Sequence, residues 1–181
     1  MILFQDFDGV LNSNSFIAGW IDENSKSIGI LDTIKQFRNK FCVKFGKAYR
    51  VLQPDLVNRF NRFINENNNI EIVCSSSWRI GHSLSQIKDF YKDNGLPYEQ
   101  LIGSTPVLYG KYVHVSRNDE IKAYIEEHNL RDQFCMSIDD SMVYDSKDLP
   151  KFKAFTIDSN VGLTENIIVQ MQKWIDRSKS K

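Results

Sequence analysis

The feature that most constrains this chain is a pair of aspartates directly after its first apolar run. Met1 to Phe4 is a short apolar stretch, and Asp6-Phe7-Asp8-Gly9 follows it, as expected where a buried strand reaches the edge of a sheet. Two like charges this close are costly when buried unless a cation neutralises them. Gly9 allows a tight turn and a close approach of the backbone to a ligand. A solvated surface turn is the alternative, and the strand before the pair disfavours it.

Strand and helix patterns alternate along the rest of the chain. We predict further strands at 70–74, 99–102, 134–138 and 152–157, and helices that begin near Pro54, Ser83, Ser116 and Thr164. Strands separated by helices imply right-handed crossovers and a mostly parallel sheet. The predicted fold class is therefore α/β, a three-layer α/β/α sandwich with a mostly parallel, Rossmann-like sheet.

Residues 13–53 do not fit this alternation. The stretch is too long for an ordinary strand-to-helix loop, and insertions of this length are usually functional lids or disordered segments. Apolar residues at helical spacing indicate a helix inside it: Ile30, Ile34, Phe37 and Phe41. The length of 181 residues is near that of one domain. We therefore predict a single domain, 1–181, with 13–53 as a cap-like insertion after the first strand.

Composition excludes several classes of protein. Twenty-three basic and 23 acidic residues give a formal net charge of zero, which excludes a globally cationic nucleic-acid binder and a highly charged disordered chain. Three widely spaced cysteines argue for a reducing compartment and against a structural zinc site. No apolar run approaches the ~18 residues of a membrane span, and the N-terminus lacks the features of a signal peptide. We expect a cytoplasmic protein with no membrane contact and no obligate protein partner.

Three of the predicted strands end in polar side chains. Besides Asp6 and Asp8, Ser75-Ser76-Ser77 follows the strand at 70–74, and Asp139-Asp140 follows the strand at 134–138. Ligands of parallel sheets bind outside the carboxyl ends of the strands. Ligation by a few carboxylates and water is what Mg²⁺ prefers. A sheet order that brings these ends together would make one magnesium site.

These motifs resemble those of the haloacid dehalogenase (HAD)-like hydrolase superfamily, whose first motif is D-x-D-G after a strand. IVCSSSWR at 72–79 looks like its second motif, and SIDDS at 137–141 looks like its fourth. More narrowly, the order FDGVLNS, SSSWR, STP, SRNDEIKAYI, SIDDS and NVGLTE resembles the phosphatase domain of bacterial RNA-repair fusion proteins. It is similar, more distantly, to the phosphatase half of polynucleotide kinase-phosphatases. The resemblance covers almost the whole chain.

The resemblance implies roles for the acidic and hydroxyl residues. Asp6 would be the nucleophile that forms an aspartyl-phosphate, and Asp8 the general acid and later the base. Mg²⁺ would be held by Asp6, the backbone carbonyl of Asp8 and Asp139, with Asp140 binding directly or through water. Ser75 or Ser76 would donate to a phosphate oxygen. Both serines remain candidates, because a slip of one residue at the strand end exchanges them.

The resemblance also implies a third motif, a cation near a helix start some 20 residues before the acidic pair. Arg117 lies 22 residues before Asp139 and opens a capped helix, so we assign it this role. Lys122 is the second candidate, one turn further in, and a surface cation is the alternative. Arg79 would contact the substrate phosphate or a neighbouring one, and Gly9 would let the backbone approach it. A core Trp78 beside a salt-bridged Arg79 is the alternative for that pair.

The insertion also contains a basic segment. Between Thr33 and Arg50 there are six basic residues and no acidic one, and they alternate with Phe37, Phe41, Phe45 and Tyr49. Basic residues with aromatics suit nucleic-acid phosphates and base stacking, so we assign Lys44, Lys47 and Arg50 to substrate binding. The alternative is an amphipathic helix that docks its aromatics on the core and leaves a basic face in solvent.

The sequence therefore predicts a Mg²⁺-dependent phosphomonoesterase that acts through an aspartyl-phosphate. The preferred substrate is a terminal phosphate on a nucleic acid or nucleotide, with RNA and DNA ends as candidate partners. One alternative is a phosphatase of small metabolites, such as sugar or nucleotide phosphates. The other is a non-catalytic module on the same fold that binds phosphate or nucleic acid.

Overall fold

A parallel sheet forms the centre of the fold. The computed structural model describes residues 1–25, 52–108, 115–141 and 143–180. Within this part the sheet has five strands in the order β3-β2-β1-β4-β5, and every adjacent pair is parallel. The strands are β1 (Ile2–Gln5), β2 (Glu71–Cys74), β3 (Leu101–Ser104), β4 (Cys135–Asp139) and β5 (Phe152–Thr156). The predicted α/β class with a parallel sheet is confirmed.

Helices follow most of the strands, and four of the five described ones begin where the sequence predicted, whereas the first, at the start of the insertion, was not predicted. They are α1 (Asn14–Ser25), α2 (Pro54–Glu66), α3 (Leu84–Asp93), α4 (Arg117–Glu127) and α5 (Glu165–Lys179). The side chains of Ser83, Ser116 and Thr164 each accept a hydrogen bond from a backbone N–H in the first turn, which satisfies donors that a helix start leaves unpaired. None of the helices in the described ranges is long and apolar enough to cross a bilayer.

The two faces of the sheet carry separate apolar cores. On one face, alternate strand residues such as Leu3 and Ile72 pack with apolar side chains of α2, α3 and α5. On the other face, Ile2 and Phe4 pack with those of α4. Residues two apart on a strand share a face, so β1, β2, β4 and β5 contribute to both cores, and β3 contributes Leu101 to the first. The result is the three-layer arrangement that the sequence predicted.

One strand lies two residues later than predicted. We expected it at 99–102, with Gly103 as its end, whereas β3 runs from Leu101 to Ser104. The strand passes through Gly103, where a Cβ would press against the hydroxyl of Tyr124. Glycine is therefore needed here for packing on α4 and does not end the strand. The other four strands agree with the prediction to within one residue at each end.

The two ends of the insertion lie side by side. The backbone N–H of Gln53 donates to the Leu11 carbonyl at 2.8 Å, and the Ser13 hydroxyl donates to Gln53 Oε1 at 2.8 Å. Residues 13–53 thus leave and rejoin the sheet at one place. Residues 26–51, with the helix expected there, lie outside the described ranges, so the cap-like insertion stays a prediction.

The strand order fixes where a ligand can bind. From β1 the chain adds β2 and β3 on one side, then returns to add β4 and β5 on the other. The order reverses between β1 and β4, and in parallel sheets the crevice outside the carboxyl ends at such a point takes the ligand. Asp6 directly follows β1, and Asp139 is the last residue of β4.

Two linked, buried hydrogen bonds support the backbone at the carboxyl end of β1. The hydroxyl of Tyr91, on α3, donates to Gln5 Oε1, and Gln5 Nε2 donates to the carbonyl oxygen of Asp6. Gln5 and Tyr91 are completely buried, so each group depends on the other for its hydrogen bond.

We predict that Tyr91→Phe lowers the free energy of unfolding by about 1–3 kcal/mol, because it leaves the buried Gln5 Oε1 without its donor. Tyr98→Phe is the matched control, since Tyr98 is exposed and, within the described ranges, its hydroxyl bonds only to Glu99 at 3.4 Å. It should change stability by less than about 0.5 kcal/mol. Urea unfolding of both variants measures the difference, and equal effects would contradict the assignment.

Candidate active site

Three carboxylates meet at the carboxyl edge of the sheet. Asp6 is held there by a hydrogen bond from its N–H to the Ile138 carbonyl at 3.1 Å. The side chains of Asp6, Asp139 and Asp140 each place an oxygen within 4.8 Å of the others. Asp139 is 1% exposed, and its Oδ2 accepts no hydrogen bond from the described residues. An all-oxygen donor set that includes a buried oxygen without a hydrogen bond from the described residues fits the preferences of Mg²⁺.

The electrostatics of the cluster disfavour three negative charges. The pKa of Asp6 is raised to about 7, mainly by burial and next by the charge of Asp139. The Arg117 guanidinium and a hydrogen bond from Ser76 act in the opposite direction. The pKa of Asp140 is also raised, by burial and then by the charges of Asp139 and Asp8. A divalent cation among these oxygens would favour their ionised forms.

Arg117 reaches this cluster from the first turn of α4. Its Nε lies 3.3 Å from Asp139 Oδ2, and its Nη1 donates to Glu120 Oε2 at 2.9 Å. Glu120, one turn along the helix, therefore holds the guanidinium beside the carboxylates. Lys122 is the second candidate for this cation. Its charge acts on Asp119, whose pKa it helps to lower.

The two serine candidates have different surroundings. The Ser76 hydroxyl hydrogen-bonds to Asp6 and accepts from the backbone N–H of Trp78 at 3.4 Å. Ser75 bonds through its backbone N–H to the Gln5 carbonyl at 2.9 Å. Its hydroxyl is buried and has no hydrogen-bond partner among the described residues. Ser76 is thus the serine in contact with Asp6.

Arg79 is engaged by the protein itself. Its guanidinium donates to the carbonyls of Ser75 and Ser76 and to those of Thr105 and Pro106, at 2.8–3.0 Å. It also forms an ion pair with Glu120 at 2.7 Å, and its side chain is 1% exposed. The geometry matches the salt-bridged alternative and does not support the predicted phosphate contact, because the donors are already used inside the fold.

Gly9 makes the predicted tight turn. The side chain that lies close to its backbone is the carboxylate of Asp140. Its φ is +70°, which favours glycine. A Cβ at this position would overlap the carboxylate of Asp140. The Gly9 N–H donates to Asn12 Oδ1 at 3.1 Å. Glycine is thus required for Asp140 to lie against the turn after β1.

Asp8 lies beside the cluster and is held by two neutral donors. Its Oδ2 accepts from the indole Nε1 of Trp78 at 2.7 Å, and its Oδ1 accepts from Asn12 Nδ2 at 3.1 Å. Its carboxylate is not among the three that converge, and the sequence assigned only its backbone carbonyl to the metal. Asn12 and Glu120 were not predicted as site residues, and Trp78 was given no role at the site. Each of the three lies in a string that carries the family resemblance: Asn12 in FDGVLNS, Glu120 in SRNDEIKAYI and Trp78 in SSSWR.

The predicted substrate-binding residues of the insertion, Lys44, Lys47 and Arg50, lie outside the described ranges. The remaining predicted residues all lie near the carboxyl ends of β1, β2 and β4 or in the first turns of α4.

Comparison with known families gives a match. The model of a family described as "HAD domain in Swiss Army Knife RNA repair proteins" matches residues 2–168. The chain belongs to this HAD-domain family. Membership confirms the predicted resemblance and suggests hydrolase activity of the phosphatase kind. No curated protein matches the chain, and no solved structure does.

The raised pKa of Asp6 predicts how stability changes with pH when no divalent cation is bound. The unfolded pKa is 3.8 and the folded one about 7, so between these values the folded state holds the proton more tightly. The free energy of unfolding should therefore fall as pH rises through this window, by up to ~1.4 kcal/mol per unit.

Asp6→Asn removes this ionisation and should flatten that dependence. Urea unfolding in EDTA, followed by tryptophan fluorescence from about pH 5 to 7, compares the two proteins. Parallel curves for the wild type and the variant would contradict the assignment of the shift to Asp6.

Proposed function

We propose that this HAD domain is a Mg²⁺-dependent phosphomonoesterase that forms an aspartyl-phosphate on Asp6. The observation that carries the proposal is the meeting of Asp6, Asp139 and Arg117 where the strand order reverses, between β1 and β4. A candidate nucleophile, a cation and three carboxylates that could hold a metal thus lie together at one edge of the sheet, which supports the proposal.

Mg²⁺ would be held by Asp6, Asp139 and Asp140 together with the backbone carbonyl of Asp8. When bound, it neutralises the repulsion between the carboxylates and an anionic phosphate. Arg117 adds a fixed positive charge from α4, and Ser76 holds Asp6. Asp6 and Asp139 are 4% and 1% exposed, and their burial strengthens the electrostatic interactions that they make.

The reaction assigned to Asp6 and Asp8 has two steps, and Asp8 loses a proton in the first and regains one in the second. In the first, an Asp6 oxygen bonds to phosphorus, the bond to the leaving oxygen breaks, and Asp8 gives that oxygen its proton. In the second, Asp8 takes a proton from water as the water oxygen bonds to phosphorus. The bond to Asp6 then breaks, which releases inorganic phosphate and restores both carboxyl groups.

We further propose that the substrate is a terminal phosphate on a nucleic acid. Two observations support this choice: the family description names RNA repair proteins, and the sequence carries the basic segment that includes Lys44, Lys47 and Arg50. A small-metabolite phosphatase would use the same carboxylates, and a binding module would keep the crevice without turnover.

Phosphate release from a panel of substrates tests the proposal. The panel holds 3′- and 5′-phosphorylated oligonucleotides, mononucleotides and sugar phosphates, each with Mg²⁺ and with EDTA. We expect turnover that requires Mg²⁺ and is fastest on oligonucleotides. A preference for small phosphates would favour the metabolite alternative, and no release from any substrate would contradict a phosphatase.

Asp6→Asn provides the matched control for that panel, because it keeps the side-chain shape and removes the nucleophilic charge. It should lower kcat by at least ~1,000-fold while circular dichroism shows an unchanged fold. Turnover close to that of the wild type would contradict the covalent mechanism.

Charge reversal at Lys44, Lys47 and Arg50 tests the nucleic-acid substrate. We expect the triple glutamate variant to bind phosphorylated oligonucleotides more weakly, with a smaller salt dependence, because fewer phosphates are neutralised. Kinetics on a small phosphate ester should change little. If only the small-substrate kinetics change, the basic segment does not bind nucleic acid.

A further inference from the structure

Both oxygens of the Asp8 carboxylate are fixed by side chains from different parts of the chain. Trp78 Nε1 donates to Oδ2 at 2.7 Å, and Asn12 Nδ2 donates to Oδ1 at 3.1 Å. Two donors on opposite oxygens fix the plane of a carboxyl group, because rotation about the Cβ–Cγ bond would break both bonds. One lone pair on each oxygen remains for a proton.

The Trp78 ring is itself held rigidly. It packs against Phe7 with ring centroids 4.9 Å apart and meets Phe90 edge-on at 5.3 Å, and Phe90 in turn meets Phe7 at 5.2 Å. Because three rings contact one another, the direction of the indole N–H is set by packing. Trp78 thus presents a fixed donor to Asp8.

The backbone that carries Trp78 is fixed as well. Trp78 lies in a short 3₁₀ turn, Ser77–Arg79, capped by Ser76. Arg79 binds the carbonyls of Ser75 and Ser76 on one side and those of Thr105 and Pro106 on the other. The same turn therefore brings Ser76 to Asp6 and Trp78 to Asp8.

Asn12 is fixed by its second hydrogen bond. Its Oδ1 accepts from the Gly9 N–H at 3.1 Å, which leaves its Nδ2 pointing toward Asp8. Asn12 is 2% exposed, so its amide is held in this orientation by the fold. The two donors to Asp8 thus come from rigid parts of the structure.

We propose that Trp78 is a positioning residue for proton transfer by Asp8, an inference that rests on the proposed phosphatase function. An indole N–H donates and does not accept. Trp78 can therefore orient the carboxyl group without competing for its proton, as a serine, tyrosine or histidine at this position would. The proton that Asp8 gives to the leaving oxygen then lies on one of the two remaining lone pairs, whose directions are fixed.

If Trp78 has this role, the effect of losing it depends on the leaving group of the substrate. When the bond between phosphorus and the leaving oxygen breaks, a strongly basic alkoxide needs the proton of Asp8, whereas an acidic phenolate leaves without it. A misplaced Asp8 therefore slows the transfer from an alkyl ester more than from an activated aryl ester. A general weakening of the fold would slow both equally.

Trp78→Phe tests the proposal, because it keeps a ring between Phe7 and Phe90 and removes only the N–H and its five-membered ring. The measured quantity is kcat/KM with Mg²⁺ for an alkyl monophosphate and for dinitrophenyl phosphate. This parameter reports the steps up to release of the leaving group. We expect kcat/KM for the alkyl ester to fall ~10–100-fold, at least ten times more than for the aryl ester.

Trp174→Phe is the matched control. Its indole Nε1 donates to the Cys135 carbonyl at 3.1 Å, on the far end of β4 from the cluster, so the ratio of the two kcat/KM values should not change. A ratio for Trp78→Phe equal to that of the wild type, whether both values fall or neither does, would overturn the positioning role.

The indole resonances give a readout that is independent of turnover. The chain has three tryptophans, and Trp78→Phe identifies the Nε1–H signal of Trp78 in a spectrum of ¹⁵N-labelled protein. Asp8→Ala should shift this signal and speed its exchange with solvent, because the acceptor is lost. An unchanged signal would overturn the inference.

The two hypotheses fail in different ways. No turnover of either ester by the wild type would overturn the phosphatase and, with it, the role in proton transfer. Turnover with an unchanged leaving-group dependence in Trp78→Phe would overturn the positioning role alone.

Discussion

Repulsion among Asp6, Asp139 and Asp140 is the constraint on which the rest of the site depends. Their oxygens lie within 4.8 Å of one another at the sheet edge, and burial raises the pKa of Asp6 to about 7. Such a cluster costs stability when no cation is bound. It is tolerated because rigid elements hold each member: β1 and β4 fix two of the carboxylates, and the Gly9 turn makes room for the third.

Two supporting groups of residues meet at Glu120. This carboxylate binds Arg117, which faces Asp139, and also Arg79, which secures the turn carrying Ser76 and Trp78. One buried acid thus connects the cation of the site to the turn that contacts both Asp6 and Asp8. Replacing it would leave the buried Arg79 without its counter-charge and Arg117 with Asp139 alone among the described residues, so its effect should reach both Asp6 and Asp8.

Local patterns were enough to predict the frame of the fold and the central carboxylates. The D-x-D-G turn, the polar strand ends and the helix caps are short-range signals, and Asp6 and Asp139 follow from them, whereas Arg117 was assigned from the family resemblance. Contacts between distant segments could not be predicted, because they depend on strand register and side-chain packing. Trp78 bonds to a residue 70 positions away, and Tyr91 to one 86 positions away. Gly103 was misread for the same reason, since its neighbour Tyr124 belongs to a distant helix.

The most direct test of the account is to identify the residue that carries phosphate. In Asp8→Asn, an activated aryl phosphate can still transfer its phosphoryl group to the enzyme, whereas hydrolysis of the product lacks its base. Borohydride reduction of that trapped acyl phosphate, followed by peptide mass spectrometry, locates it as homoserine. We predict homoserine at position 6. Modification of another residue, or phenol release by the wild type with no trapped species in the variant, would contradict it.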